Sequence, residues 1–411
     1  MTELLLLALP VAAPLAAALA AALAALLLRS PSAAPFLALA GAAGAVVGSL
    51  VLLAGAASGV TRGATLPGLP GYPLRLVADS QTALFSTLVA AVSALVLVYA
   101  VGYMRGEEGR PRFFAGMGLF AAAMQALVLA GDWVLLLAAW EIIGFASWLL
   151  IGFWFDREDA RAGATRAFLY TRTADLGLYV GVFVLISASG TSEIAETLSV
   201  SGLAATAAGL LLLLAAVGKS AQAPLSGWLQ DAMSGPTPIS ALLHSATLVA
   251  AGAILLIRVY PLLPAGVLLA VGLVGGVTTV LAGLTALAER DLKRLLAAST
   301  AGQYGFMLLA VGAGSPVAAA ADRADNGLHR GVTMVGRAAI AVAGASRAAD
   351  EAGIDRAIAY LVSGARGLGG RARRLQSGLI HRELALATIG GALILAALAT
   401  GAVLGLAGAG G

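Results

Sequence analysis

Long apolar runs separated by short polar connections dominate the chain. Measured against the ~20 residues that cross a ~30 Å hydrocarbon core, eleven runs qualify, near 3–28, 35–58, 80–103, 113–131, 133–155, 164–188, 204–230, 239–260, 264–288, 292–313 and 383–407. Each predicts a helix, because a backbone in lipid must satisfy its own hydrogen bonds. The expected fold class is therefore all-α, a polytopic membrane protein of about eleven transmembrane helices. The first run follows Met1-Thr2-Glu3 with no basic start and is too long for a signal-peptide core, so it reads as a mature first span. The seventh run carries Pro224 five residues after Lys219. A proline there removes a backbone donor and predicts a broken helix.

Composition supports the same class. Hydrophobic residues make up 60% of the chain and charged residues 11%, with a mean hydropathy of +0.94, more apolar content than a soluble core of this length could hide. The absence of cysteine excludes disulfides, iron–sulfur clusters and thiolate metal sites within the chain. With three histidines, His244, His329 and His381, a self-contained haem or zinc centre is not expected, so no cofactor and no metal is assigned. The pI near 9.6 is explained by membrane orientation, and no nucleic-acid partner is expected. Arg105, Arg110 and Arg112 follow the third run, Arg157 and Arg161 the fifth, and Arg290, Lys293 and Arg294 the ninth. By the positive-inside rule these ends are cytoplasmic.

Residues 322–382 differ from what precedes them. They hold ten arginines, five acidic residues, and Leu328, Val332, Val335, Ala339 and Val342 at helical spacing, the pattern of a basic amphipathic helix lying along a membrane surface. The expected organisation is 1–110, N-terminal helices; 111–260, a first five-helix unit; 261–315, part of a second; 316–382, the lateral amphipathic helix; and 383–411, a closing anchor. Ten spans place Gly314 outside, whereas the arginine-rich block belongs inside. Either one span is miscounted or a span is missing.

Intramembrane ionisable residues are expensive and mark functional sites. Glu141 falls mid-way along the fifth run beside Trp140 and Ile142, Asp175 follows Arg172 by three residues in the sixth, and His244 lies one turn into the eighth. Lys219 and Lys293 are the only lysines. A buried lysine can exchange a proton near neutral pH, and an arginine cannot. The spacing suggests Asp175 neutralising Arg172 and Glu141 facing Lys219, either as a static pair that fixes helix register or as a proton relay. His244 reads equally as a core histidine, and Lys293 as part of a charged turn.

These residues sit in distinctive phrases. Trp140-Glu141-Ile142-Ile143-Gly144 with Ser147 to Phe153, Val217-Gly218-Lys219-Ser220-Ala221-Gln222-Ala223-Pro224-Leu225, and Trp228 to Met233 running into Gly235-Pro236-Thr237-Pro238 and His244 resemble the antiporter-like subunit L (chain 5) of NADH:quinone oxidoreductase, complex I. The same phrases are similar to the large subunit of multisubunit sodium/proton antiporters. Asp291 to Ala297, Ser299-Thr300, Gln303-Tyr304-Gly305 and Leu375-Gln376-Ser377-Gly378 extend the likeness. It implies a proton relay through Glu141, Lys219, His244, Asp175 and Lys293, a helix break at Pro224, and no redox chemistry in this chain. It also implies neighbouring membrane subunits as partners in a bilayer, protons as the moving ion with sodium as the alternative, and the bacterial inner (plasma) membrane as location. The family's second broken helix and its His-x-x-x-His-x-x-x-Lys helix have no match after Gly312, which implies a shortened member lacking most of a second half-channel. Two alternatives stay open: a structural, non-pumping subunit, or a proton-coupled partner in a sodium/proton antiporter or inorganic-carbon uptake assembly.

Overall fold

A computed structural model describes residues 2–27, 33–69 and 72–314. The order is α1 (Thr2–Leu27), α2 (Ala34–Ala57), a hairpin of β1 (Arg62–Leu69) and β2 (Tyr72–Ala78), α3 (Ser80–Tyr103), α4 (Arg110–Leu129), α5 (Trp133–Ile151), α6 (Glu158–Ser189), short α7 (Ile194–Thr197), α8 (Gly202–Lys219), short α9 (Gly227–Asp231) and α10 (Thr237–Ala241), α11 (Leu248–Arg258), α12 (Ala265–Ala288) and α13 (Leu292–Gly312). Among the described residues ten helical segments are long and apolar enough to cross a membrane, α10 and α11 together forming one of them. The chain is a polytopic helical membrane protein. The expected span at 383–407 and lateral helix at 316–382 lie outside the described residues.

Several spans begin where an acidic residue sits just outside an apolar run. Asp79 caps α3 by accepting from Thr82 N at 2.8 Å, Asp132 caps α5 by accepting from Leu135 N at 2.8 Å, and Asp291 caps α13 by accepting from Arg294 N at 2.9 Å. Each carboxylate satisfies a donor that the first helical turn leaves free. The sixth span starts earlier than hydropathy suggests. At 32 residues α6 is about 48 Å long at 1.5 Å per residue, so its charged first turns extend beyond the hydrocarbon. Glu158 and Asp159 in the first turn suit the positive end of the helix dipole.

A short hairpin, β1–β2, fills the connection between α2 and α3. Arg62 pairs with Ala78 and Leu66 with Leu74, with an irregularity before Leu69 and Tyr72. A two-stranded sheet has open edges that hydrocarbon cannot accommodate, which places it outside the lipid core. It is pinned to the α4–α5 connection, where Arg75 N donates to Asp132 at 2.5 Å and Gly131 N donates to Arg75 O at 2.7 Å, and to the α6–α7 connection, where the Arg75 side chain pairs with Glu193. Burial pushes the Asp132 carboxyl above its ordinary range, against the pull of the Leu135 and Arg75 N–H groups.

Helix α4 runs through the centre of the bundle, with Phe113, Phe114, Met117, Phe120 and Met124 fully buried against α1, α3 and α5. Its C-terminal end is closed by a residue from a distant element. Arg258, the last residue of α11, donates to Leu127 O at 3.2 Å, Val128 O at 3.3 Å and Ala130 O at 2.5 Å. Arg258→Met removes a charged donor from three carbonyls. A loss of about 2 kcal/mol is expected at the usual worth of charged hydrogen bonds, read as a lowered unfolding midpoint in detergent, whereas Arg258→Lys retains part of it.

Candidate functional site

Helix α8 stops at Lys219, and helical geometry resumes at Gly227. The intervening segment is held by polar contacts. Ser220 Oγ donates to Val249 O at 2.7 Å, Gln222 Nε2 to Ser220 O at 2.7 Å, and Ala223 N to Thr278 Oγ1 at 3.0 Å. Helical geometry thus ends five residues ahead of Pro224, and the backbone groups freed there are taken up by side chains and neighbouring helices.

Lys219 is fully buried at this end. Its Nζ lies 3.1 Å from Asp175 Oδ2, and Asp175 is also fully buried. Trp140 completes the arrangement, its Nε1 donating to Asp175 Oδ1 at 2.6 Å while its ring lies 5.2 Å beneath the ammonium. The contact between α6 and α8 sets this geometry. A side chain at Gly218 would collide with Ala174, so the bare backbone lets Lys219 and Asp175, the next residues on each helix, meet.

A second pair stands beside the first. Glu141 is bound by Arg172 and accepts from the Tyr179 hydroxyl, and Arg172 Nη1 also reaches that hydroxyl at 3.2 Å. The guanidinium lies 4.8 Å from the Phe168 ring centroid. These charges are part-exposed, at 29% for Arg172 and 32% for Glu141. The pairings are therefore exchanged relative to the sequence expectation: Lys219 holds Asp175, and Arg172 holds Glu141. The reason is the roll of α6. At 3.6 residues per turn, Tyr179 follows Arg172 by seven residues and shares its face to within about 20°, whereas Asp175 is turned by about 60° toward α8.

Gly144 links the two pairs. A Cβ there would lie 3.3 Å from Lys219 Nζ and 3.5 Å from Arg172 Nη2. Both cations thus flank one point on α5, a turn beyond Glu141, where a movement of either carboxylate is felt by both in a low-dielectric setting. Gly144→Val is expected to displace both cations and to lower the unfolding midpoint in detergent. Gly144→Ala, one methyl, gives a smaller loss because the Cβ contact is tight but short of a collision. Thermal unfolding of the two variants in detergent checks the order.

The break continues toward His244. Trp228, on α9, donates from Nε1 to Gly218 O at 2.9 Å, and its ring meets the His244 ring edge-on at 5.9 Å. His244 lies in a π-helical turn, Leu242–Ala246, between α10 and α11. It is 2% exposed, and neither ring nitrogen has a hydrogen-bond partner in the protein. Lys293 is set apart. Its Nζ donates to Met233 O at 2.7 Å and Gly235 O at 2.8 Å, and it borders a polar cavity of about 460 Å³ shared with Arg157, Asp159, Arg166 and Asp231. The structure thus brings Lys219 and Asp175 into contact, sets Glu141 beside them across Gly144, and reaches His244 through Trp228. Trp140, Gly144, Arg172, Tyr179 and Trp228 complete the cluster. Trp140 and Arg172 stand out in the sequence only as neighbours of acids, and Tyr179 was missed, its one available signal being a spacing of two helical turns from Arg172.

The fold and site define a polytopic membrane protein that keeps two adjacent ion pairs at the end of a spanning helix. Residues 71–114 match the family NADH-ubiquinone oxidoreductase (complex I), chain 5 N-terminus, and residues 130–322 match NADH:quinone oxidoreductase/Mrp antiporter, TM. Together these cover more than half of the chain, and it belongs to this antiporter-like family. NADH-quinone oxidoreductase subunit L of Mycobacterium tuberculosis (strain H37Rv) is 43% identical over 242 residues, 57% of this chain and 38% of the relative. Its counterpart in Escherichia coli (strain K12) is 43% identical over 247 residues, 58% of this chain and 40% of the relative. The chain thus spans about two fifths of the length of the curated relatives it matches. A chain in the solved structure of the Mrp complex from Dietzia sp. DQ12-45-1b superposes with a TM-score of 0.67 at 32% identity, over 77% of this chain and 34% of that one. A chain of the membrane-bound sulfane sulfur reductase, an archaeal respiratory membrane complex, shares the fold with a TM-score of 0.67 at 21% identity, over 74% of this chain and 64% of that chain.

Proposed function

We propose that the chain is a proton-translocating membrane subunit of an NADH:quinone oxidoreductase-type complex. Residues 111–260 supply the half-channel, and the complex sits in a bacterial inner membrane. The observation that carries this reading is the fully buried Lys219–Asp175 pair at the end of α8. Two charges taken out of water at the end of a helix are costly to keep for scaffolding alone, and helix interruptions in the membrane are where transporters build ion sites.

In this reading the Glu141–Arg172 pair acts as the input. When Glu141 is drawn from Arg172, the unbalanced guanidinium beside Gly144 repels the Lys219 ammonium, and the lysine gives up its proton. The proton passes along the opened segment and past Trp228 toward His244, whose two bare ring nitrogens can accept and donate it. When Glu141 returns to Arg172, Lys219 takes up a new proton from water and pairs with Asp175 again. Lys293, fixed on the Met233 and Gly235 carbonyls, borders the cytoplasmic cavity and makes a second, accessory proton station. The part-exposed Glu141–Arg172 pair at membrane depth also supports an adjoining membrane subunit over that face, because hydrocarbon cannot solvate it.

The test is Lys219→Arg in the assembled complex, with proton flux measured in proteoliposomes. The charge beside Asp175 is kept and the titratable group is lost, so flux is expected to fall at least about 100-fold while the complex stays assembled. Full flux overturns the relay. It would leave the structural, non-pumping role, which the complete pairing of Lys219, Asp175, Glu141 and Arg172 favours.

A further inference from the structure

Helices α1, α4, α5 and the start of α6 enclose an elongated cavity of about 930 Å³ with almost entirely apolar walls. It opens at the bundle surface, where Leu19 is 58% exposed, Leu26 76% and Phe155 52%. Along α1 the wall runs from Leu15 to Leu26, about 16 Å at 1.5 Å per residue. That is about half of the ~30 Å hydrocarbon thickness, the depth of one leaflet.

Charge is confined to one end. Arg112 and Arg161 stand there, on the side that the arginine distribution makes cytoplasmic. Arg112 donates to Phe153 O at 2.9 Å and lies 5.0 Å from the Phe153 ring centroid and 4.9 Å from that of Phe155. Arg161 donates to Phe155 O at 3.3 Å. Both guanidiniums are thus gathered on the same turn after α5, each with further N–H groups to offer, and neither is paired with a carboxylate among the described residues. The N-terminus of α4, at Arg110, adds the positive end of a 20-residue helix.

We propose that this groove binds an anionic phospholipid, with its phosphate against Arg112 and Arg161 and its acyl chains along α1 and α4. A leaflet-deep apolar wall with two unpaired guanidiniums at the headgroup level matches that ligand at both ends. The chain's own arginine-rich segment is a poor alternative occupant. With ten arginines against five acidic residues at 322–382, it is repelled by this end of the groove.

Trp148 lines the groove and is 38% exposed, which supplies a reporter. The full chain is reconstituted in phosphatidylcholine vesicles containing increasing fractions of either brominated phosphatidylglycerol or brominated phosphatidylcholine. The Trp148 signal is taken as the difference from Trp148→Phe. Half-maximal quenching is expected at about a ten-fold lower fraction of the brominated phosphatidylglycerol, from the attraction of two arginines for an anionic lipid. In Arg112→Gln/Arg161→Gln that preference disappears while quenching by brominated phosphatidylcholine is unchanged, which also reports an intact fold. Equal quenching by the two lipids in the unaltered protein overturns the proposal, as does a preference that survives the double substitution. Absence of quenching by either lipid also overturns it and assigns the groove to a protein segment.

Discussion

Replacing Lys219 with methionine is expected to destabilise the protein by about 3–5 kcal/mol, the cost of leaving Asp175 charged, buried and without its counter-ion. Trp140 would remain as the neutral donor to Asp175 Oδ1, and one indole N–H does not replace an ammonium. Methionine matches the length of the lysine stem closely, so the loss reports charge rather than volume. Lys219→Met/Asp175→Leu removes both charges and is expected to recover most of the stability. A double-mutant cycle on unfolding in detergent measures the coupling. Proton flux is expected to be absent in both variants. Recovered stability with no flux shows that the pair serves transport and not folding. A double variant that stays as unstable as the single one would make the pair a structural clamp and sink the relay.

The pairing also shows where sequence reasoning runs out. All four charges were legible as intramembrane groups, because ionisable residues stand out in apolar runs. Their partners were not. Helical spacing allows Arg172 to meet Asp175, and only the roll of α6 against α8, fixed by the approach of Gly218 to Ala174, decides otherwise. The hairpin was missed for a related reason. Arg62–Leu69 contains Gly63, Pro67 and Gly68 and lacks the alternation of a strand. Its anchors, Asp132 and Glu193, lie 57 and 118 residues from Arg75. Span positions, by contrast, follow from composition alone, since hydrocarbon thickness sets the helix length. The start of α6 moved out to Glu158, where charged turns continue the helix into water, and α5 stopped at Ile151, short of the end of its apolar run.

Glu141→Gln is expected to separate function from stability in the opposite way. Its side chain is 32% exposed and Arg172 29% exposed, and Tyr179 and Phe168 still hold the guanidinium, so losing this pair is expected to cost less than losing the fully buried one. Glutamine keeps an acceptor for the Tyr179 hydroxyl, which holds the side chain in place, and removes the charge that balances Arg172. If Glu141 is the input, that change leaves the Arg172 charge permanently uncompensated beside Gly144 and fixes the field at Lys219, so flux falls at least about 100-fold in a complex of nearly unaltered thermal stability. Removing the offending cation as well, in Glu141→Gln/Arg172→Gln, returns the Lys219 environment to balance. It is expected to leave Lys219 paired with Asp175 but still without a moving charge, so flux stays low. Flux restored in that double variant would show that Glu141 only neutralises Arg172, and that the signal reaches Lys219 by another route.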